Sequence, residues 1–223
     1  NNSTPGNISF QNPEFELVNG NIARRIAIED LDKDGLPEII VTNQANNTFS
    51  ILKNRSTNSV IDFAHFEALS VVDPDFPDIN TSGLDAGDFN GDGFPEIVLL
   101  TFLQSNVYVV PNRSQVGKIQ LGNAKRIRVP GNLVNVAIGD INNDKKDDIV
   151  VTKLITAEVG ILVNKFQPGT PPDNDNDIDF FDEVLFSVNA RPWGLDLGDM
   201  DGDGKVDIVV ASIDETQKRV SVL

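Results

Sequence analysis

Four stretches of this chain set oxygen-bearing side chains at alternate positions and then place a carboxylate four residues on. Counted as nine positions, they run 30–38, 88–96, 140–148 and 199–207. Positions 1, 3 and 5 are Asp30, Asp32 and Asp34; Asp88, Asn90 and Asp92; Asp140, Asn142 and Asp144; and Asp199, Asp201 and Asp203. Position 9 is Glu38, Glu96, Asp148 or Asp207, and position 6 is Gly35, Gly93, Lys145 or Gly204. Alternate side chains on a tight loop converge on one point, and glycine at position 6 admits the positive φ that a sharp turn needs. The backbone carbonyl of position 7 (Leu36, Phe94, Lys146 and Lys205) adds an oxygen, and the carboxylate at position 9 closes the shell. Such a shell is all hard oxygen. It selects Ca²⁺ over zinc or copper, while Mg²⁺ asks for fewer protein ligands and a stricter octahedron.

The spacing excludes an EF-hand, whose closing acid falls at position 12 between helices. Here position 12 is Val41, Leu99, Val151 or Val210. Four copies with one ligand spacing argue against plain Asp/Gly surface turns. The third loop departs at Lys145, which adds strain and a positive charge, so up to four Ca²⁺ are expected with the third bound weakest. Ligand-position carboxylates account for 14 of the 34 acidic residues, against 18 basic ones. Chelation is expected to lower thermal stability.

The loops must be held by regular elements, and the repeat shows which. Their first residues, Asp30, Asp88, Asp140 and Asp199, follow at intervals of 58, 52 and 59 residues. Before each loop stands a short alternating segment, such as Val136 and Ile138, that reads as a half-buried strand. After it comes an apolar run, such as 149–151 or 208–210, that reads as a strand buried on both faces. A third strand ("TFSILKN", "NVYVVPN", "EVGILVN", "RVSVL") and a weaker fourth ("VIDFAHFEAL", "KIQLGNAKRIRV", "IDFFDEVLFSV") follow. No window shows a helical period. Four strands per 50–60 residues is the pattern of a β-propeller blade. The expected fold is all-β, a single propeller over 1–223 with repeats near 1–54, 55–112, 113–164 and 165–223. The opening residues resemble 53–69, so the chain starts with a fourth strand that could complete the last blade. Two architectures stand: a four-blade segment of a larger ring, or a closed four-blade ring.

Composition narrows function. The 223 residues carry a formal net charge of −16, which disfavours nucleic acid and anionic membranes and favours cations. There is no cysteine, hence no disulfide framework or thiolate site. No apolar run is long enough to span a bilayer. Without signal peptide or initiator Met, the chain reads as a mature segment of something longer. One His (His65), one Tyr (Tyr108) and one Trp (Trp193) leave a thin catalytic inventory.

The D-x-[DN]-x-D-G-x-x-[DE] loop, set between an alternating strand and an "EIIV"-type strand, resembles the FG-GAP repeat of integrin α-subunit propellers. It resembles the bacterial FG-GAP/VCBS repeats of exported proteins more closely. The resemblance covers nearly the whole chain. It implies a propeller, often seven-bladed, with Ca²⁺ in the loops of one face and an extracellular role in adhesion or glycan binding. The calcium is then structural, and the expected partner is an extracellular protein or glycan, with no membrane insertion. The expected setting is secreted or cell-surface, in a bacterium. Ligand contacts are expected on the opposite face, from Trp193, Arg191 and Phe76, with Arg24, Arg25 and Phe102 nearby. The acidic run 171–183 reads as a solvated insertion on the loop side, and His65 as surface. No enzyme activity is expected. The alternative is a lyase-like polysaccharide enzyme or its scaffold, which would need a base and an acid held against an acidic sugar.

Overall fold

The structure, a computed structural model, describes residues 3–9, 22–43, 48–56, 66–71, 81–102, 105–167, 178–189, 191–213 and 219–223. These residues form strands, turns and loops, with no helix among them. The first sheet holds β1 (Ala23–Glu29), β2 (Glu38–Asn43), β3 (Thr48–Asn54) and β4 (Phe66–Val71). The second holds β5 (Thr81–Gly87), β6 (Glu96–Thr101), β7 (Asn106–Val110) and β8 (Lys125–Arg128). The third holds β9 (Leu133–Gly139), β10 (Asp148–Lys153), β11 (Glu158–Leu162) and β12 (Val184–Ser187). The last holds β13 (Pro192–Gly198), β14 (Asp207–Ser212) and β15 (Val220–Val222). Neighbours pair antiparallel and in chain order within every sheet. Each sheet is one blade of a β-propeller.

The apolar runs become middle strands because each is covered on both faces. All six residues of β6 are buried. Ile97 and Leu99 point to blade 1 and meet Ile40, Phe49 and Ile51. Val98 and Leu100 point to blade 3 and meet Val136, Ile149 and Val151. A third core joins Val150, Val159 and Ile161 to Ile208 and Val210. The core of this molecule is therefore three slabs between four blades, not one central mass.

The first strands β1, β5, β9 and β13 pack side by side in that order. Each is bulged near its start. In β1 and β9 the bulge leaves an N–H to a threonine hydroxyl of the next strand: Arg25 donates to Thr42 Oγ1 (3.0 Å) and Asn135 to Thr152 Oγ1 (3.1 Å). Gly87 marks the closest approach, since a Cβ there would lie 2.4 Å from Ile138 Cγ2 of the next blade.

The row is open. Among the described residues no comparable packing joins β13 back to β1. Both end faces are bare, with Ile26 62%, Ile28 60%, Val220 64% and Val222 56% exposed. The closed four-blade ring is thus not formed by these residues. The strand expected at the start of the chain lies outside the described residues, apart from a tight turn bridged by Thr4 and Asn7. The acidic run 171–183 is corrected in its second half. Ile178 and Phe180 are buried there, and Phe180 meets Phe89 edge to face at 5.3 Å. Its first seven residues lie outside the described ones.

Candidate metal centres

Each nine-residue loop joins the first and second strands of a blade, so all four open on the same end of the row. Their backbones share one scheme. The position-1 carboxylate accepts the position-6 N–H: Gly35 to Asp30 Oδ2 (3.0 Å), Gly93 to Asp88 Oδ2 (2.8 Å), Lys145 to Asp140 Oδ2 (2.7 Å) and Gly204 to Asp199 Oδ2 (2.9 Å). Position 5 accepts the N–H of position 7 in all four, as Asp92 does from Phe94 (2.7 Å). Position 9 accepts the N–H of position 2, as Glu96 does from Phe89 (2.9 Å). Position 6 has φ of 88°, 86° and 85° at Gly35, Gly93 and Gly204 and 67° at Lys145. The loop shape is thus common to all four, and Lys145 holds it in a backbone region that favours glycine.

At position 1, Asp88, Asp140 and Asp199 accept N–H groups on both oxygens, whereas Asp30 accepts on Oδ2 only. Asp30, Asp32 and Glu38 present oxygens within 4.8 Å of one another, as do Asp199, Asp201 and Asp203. Asp32 and Glu38 are wholly buried, and Asp30 Oδ1 and Asp32 Oδ1 are buried without a hydrogen-bond partner. A buried, unpartnered carboxylate oxygen is costly unless a cation meets it. The hard-oxygen set with two orphaned atoms fits a divalent cation, and Asp30, Asp32, Asp34, the Leu36 carbonyl and Glu38 are the residues that would hold it. Burial, and then the Asp32 charge, push the Glu38 carboxyl up to about 7. Burial pushes Glu96 to about 8, with Asp92 and Asp88 adding to it. Asp92 and Asp148 are raised for the same first reason.

Burial falls along the row, from the wholly buried Asp32 in loop 1 to the exposed set Asp199, Asp201 and Asp203 in loop 4. The cause is the segment after each third strand, which covers the loop of the preceding blade. Gly117 donates its N–H to the Asp32 carbonyl (3.1 Å), and Phe166 lies beside Gly91. An asparagine anchors this cover. Asn112 Nδ2 donates to Leu31 O (2.8 Å) of blade 1 and to Pro95 O (2.9 Å) of its own blade. Asn164 repeats the pattern with Phe89 O (2.9 Å) and Asp147 O (3.1 Å). The N–H groups of Asn54, Asn112 and Asn164 also reach the position-9 carboxylates. Sequence reasoning missed this role, although the terminal Asn of "ILKN", "VVPN" and "ILVN" was its signal.

Lys53 was also missed. Its ammonium meets Asp32 Oδ2 and lies 3.1 Å from Asp34 Oδ2. In loop 3 Lys146 pairs with Asp144 (3.0 Å), and in loop 4 Lys205 pairs with Asp203 (2.7 Å).

The FG-GAP-like repeat model matches residues 30–99 and 88–151, which together cover more than half of the chain. The chain belongs to the FG-GAP-like repeat family. The matched spans begin at position 1 of loops 1 and 2 and end in the strands after loops 2 and 3. No curated protein matches this FG-GAP-like chain. Among solved structures it is similar to the crystal structure of BBS1N in complex with ARL6DN, with a TM-score of 0.52 at 10% identity. That match covers 92% of this chain and 58% of the other, so this FG-GAP-like chain spans a little over half of that relative's length. At this identity the likeness concerns fold alone.

Of the ligand residues expected on the opposite end, Arg191 and Trp193 are among the described residues and lie together at the start of β13. Trp193 stands at the start of β13, away from loop 4, and is 37% exposed. Arg191 has φ of 56°, and its carbonyl accepts the Ile213 N–H (3.0 Å). Phe76 and His65 lie outside the described residues. On the loop end, a cleft of about 390 Å³ separates loops 2 and 3, lined by Asp88, Gly91, Lys145, Asp147 and Phe166.

Proposed function

We propose that this protein is an extracellular calcium-binding propeller module, which uses structural Ca²⁺ to hold its blade turns and presents the assembled blades to a protein or glycan partner. The observation that carries the reading is loop 1. Two of its carboxylate oxygens are buried without partners beside a third buried carboxylate, in a loop whose backbone scheme recurs three times. The cation supplies charge compensation there. The chain's own residues do the rest: position 1 orients the turn, position 9 ties it to the second strand, and asparagine ties it to the next blade. The role is binding rather than catalysis, in a secreted or cell-surface setting in a bacterium. The third loop is the weakest site, because Lys145 adds strain and a positive charge.

The test is retention of the immobilised chain on a glycan array and against an extracellular extract, with Ca²⁺ and with EDTA. Calcium-dependent capture of a glycan or protein is expected. Turnover of an anionic polysaccharide, with product absorbance appearing, overturns the binding reading.

A further inference from the structure

Lys53 sits where blades 2 and 3 have no charge. It occupies the residue before the anchoring asparagine, a place taken by Pro111 in blade 2 and Val163 in blade 3. It is 8% exposed, although lysine is almost never buried unless paired. Its ammonium bridges Asp32 Oδ2 and Asp34 Oδ2, the carboxylates at positions 3 and 5 of loop 1. Loop 1 also differs in its charge: position 3 is Asp32 where loops 2 and 3 have Asn90 and Asn142. Loop 4 shares the extra acid at Asp201, but its Lys205 reaches only Asp203 and from an exposed site.

We propose that Lys53 is a tethered cation that competes with calcium in loop 1, holding that turn closed without metal and lowering its affinity for Ca²⁺. Resting on the calcium reading above, the inference adds a residue that sets affinity rather than another ligand. Two features of the site support it. Asp34 is absent from the group of oxygens that converge in loop 1, whereas its counterpart Asp203 belongs to the group in loop 4. Lys53 holds Asp34 aside through the 3.1 Å contact. A divalent ion entering between Asp30, Asp32 and Glu38 would also lie close to a buried ammonium, and like charges in a low-dielectric site repel strongly. Loop 1 therefore keeps its geometry when calcium is scarce and fills at a higher concentration than it would without Lys53.

Equilibrium dialysis of Ca²⁺ against the wild-type chain, Lys53→Met and Lys53→Arg tests this, with Asp30→Asn added to Lys53→Met to identify the loop. The expected result is one site tightened about tenfold or more in Lys53→Met, unchanged in Lys53→Arg, and lost in the double variant. Melting in EDTA gives a second readout: Lys53→Met falls below wild type without calcium and regains the difference with it. Unchanged affinities in Lys53→Met, with calcium still bound, overturn the proposal alone. No calcium bound by any variant overturns it together with the calcium reading.

Discussion

Asn112 bonds two blades through one side-chain amide, and its own carbonyl oxygen accepts the Ser114 N–H (3.0 Å). Its side-chain polar atoms are all used and it is 3% exposed. Removing it strands two carbonyls at a blade junction. Asn112→Ala should cost about 2 kcal/mol, read by urea unfolding. Lys145 is the opposite case, a residue that opposes its own conformation at φ of 67°. Lys145→Gly should raise stability by about 1 kcal/mol and tighten calcium binding at the third loop. A third loop already tightest in the wild type would sink that ordering.

At the scale of elements, the middle strands carry the fold. β6 sends alternate residues to two different cores, so a truncation there loosens one blade junction and spares the other. Leu100 is fully buried between blades 2 and 3. Leu100→Ala should destabilise by about 3 kcal/mol in thermal or urea unfolding. First strands are less covered and more tightly spaced, and the Gly87 approach to Ile138 shows how close they come. The apolar runs were readable as buried strands because a run with no polar face must be covered twice. The packing of Ile178 and Phe180 was not readable, because their short acidic surroundings hide two core residues that only blade 2 makes buried.

For the whole molecule, charge is the governing quantity. Four bound Ca²⁺ halve the formal net charge of −16. Each site held at a hundredfold excess over its Kd adds about 2.7 kcal/mol to the folded state. EDTA should therefore lower the melting temperature clearly in differential scanning calorimetry, and added calcium should restore it. An unchanged melting temperature in EDTA counts against the metal assignment. The open row leaves one bare face at each end, so the described blades present apolar strands at both limits.

The ligand spacing, the four-fold repeat and the strand pattern were fully local, and the sequence by itself determined the loops, the blades and the propeller class. Positions 1 to 9 lie within one turn, so their convergence follows from backbone geometry alone. Contacts between repeats were decided only by the tertiary structure. Asn112 bonds a carbonyl 81 residues away and Asn164 one 75 residues away, and nothing near either residue names its partner. Lys53 is 19 and 21 residues from the carboxylates it holds, across a sheet whose register brings them together. The order of the loops in depth, from buried loop 1 to exposed loop 4, came from the cover each blade lays over the one before it. Burial is a property of neighbours, and a repeat carries the same letters whether or not a neighbour covers it.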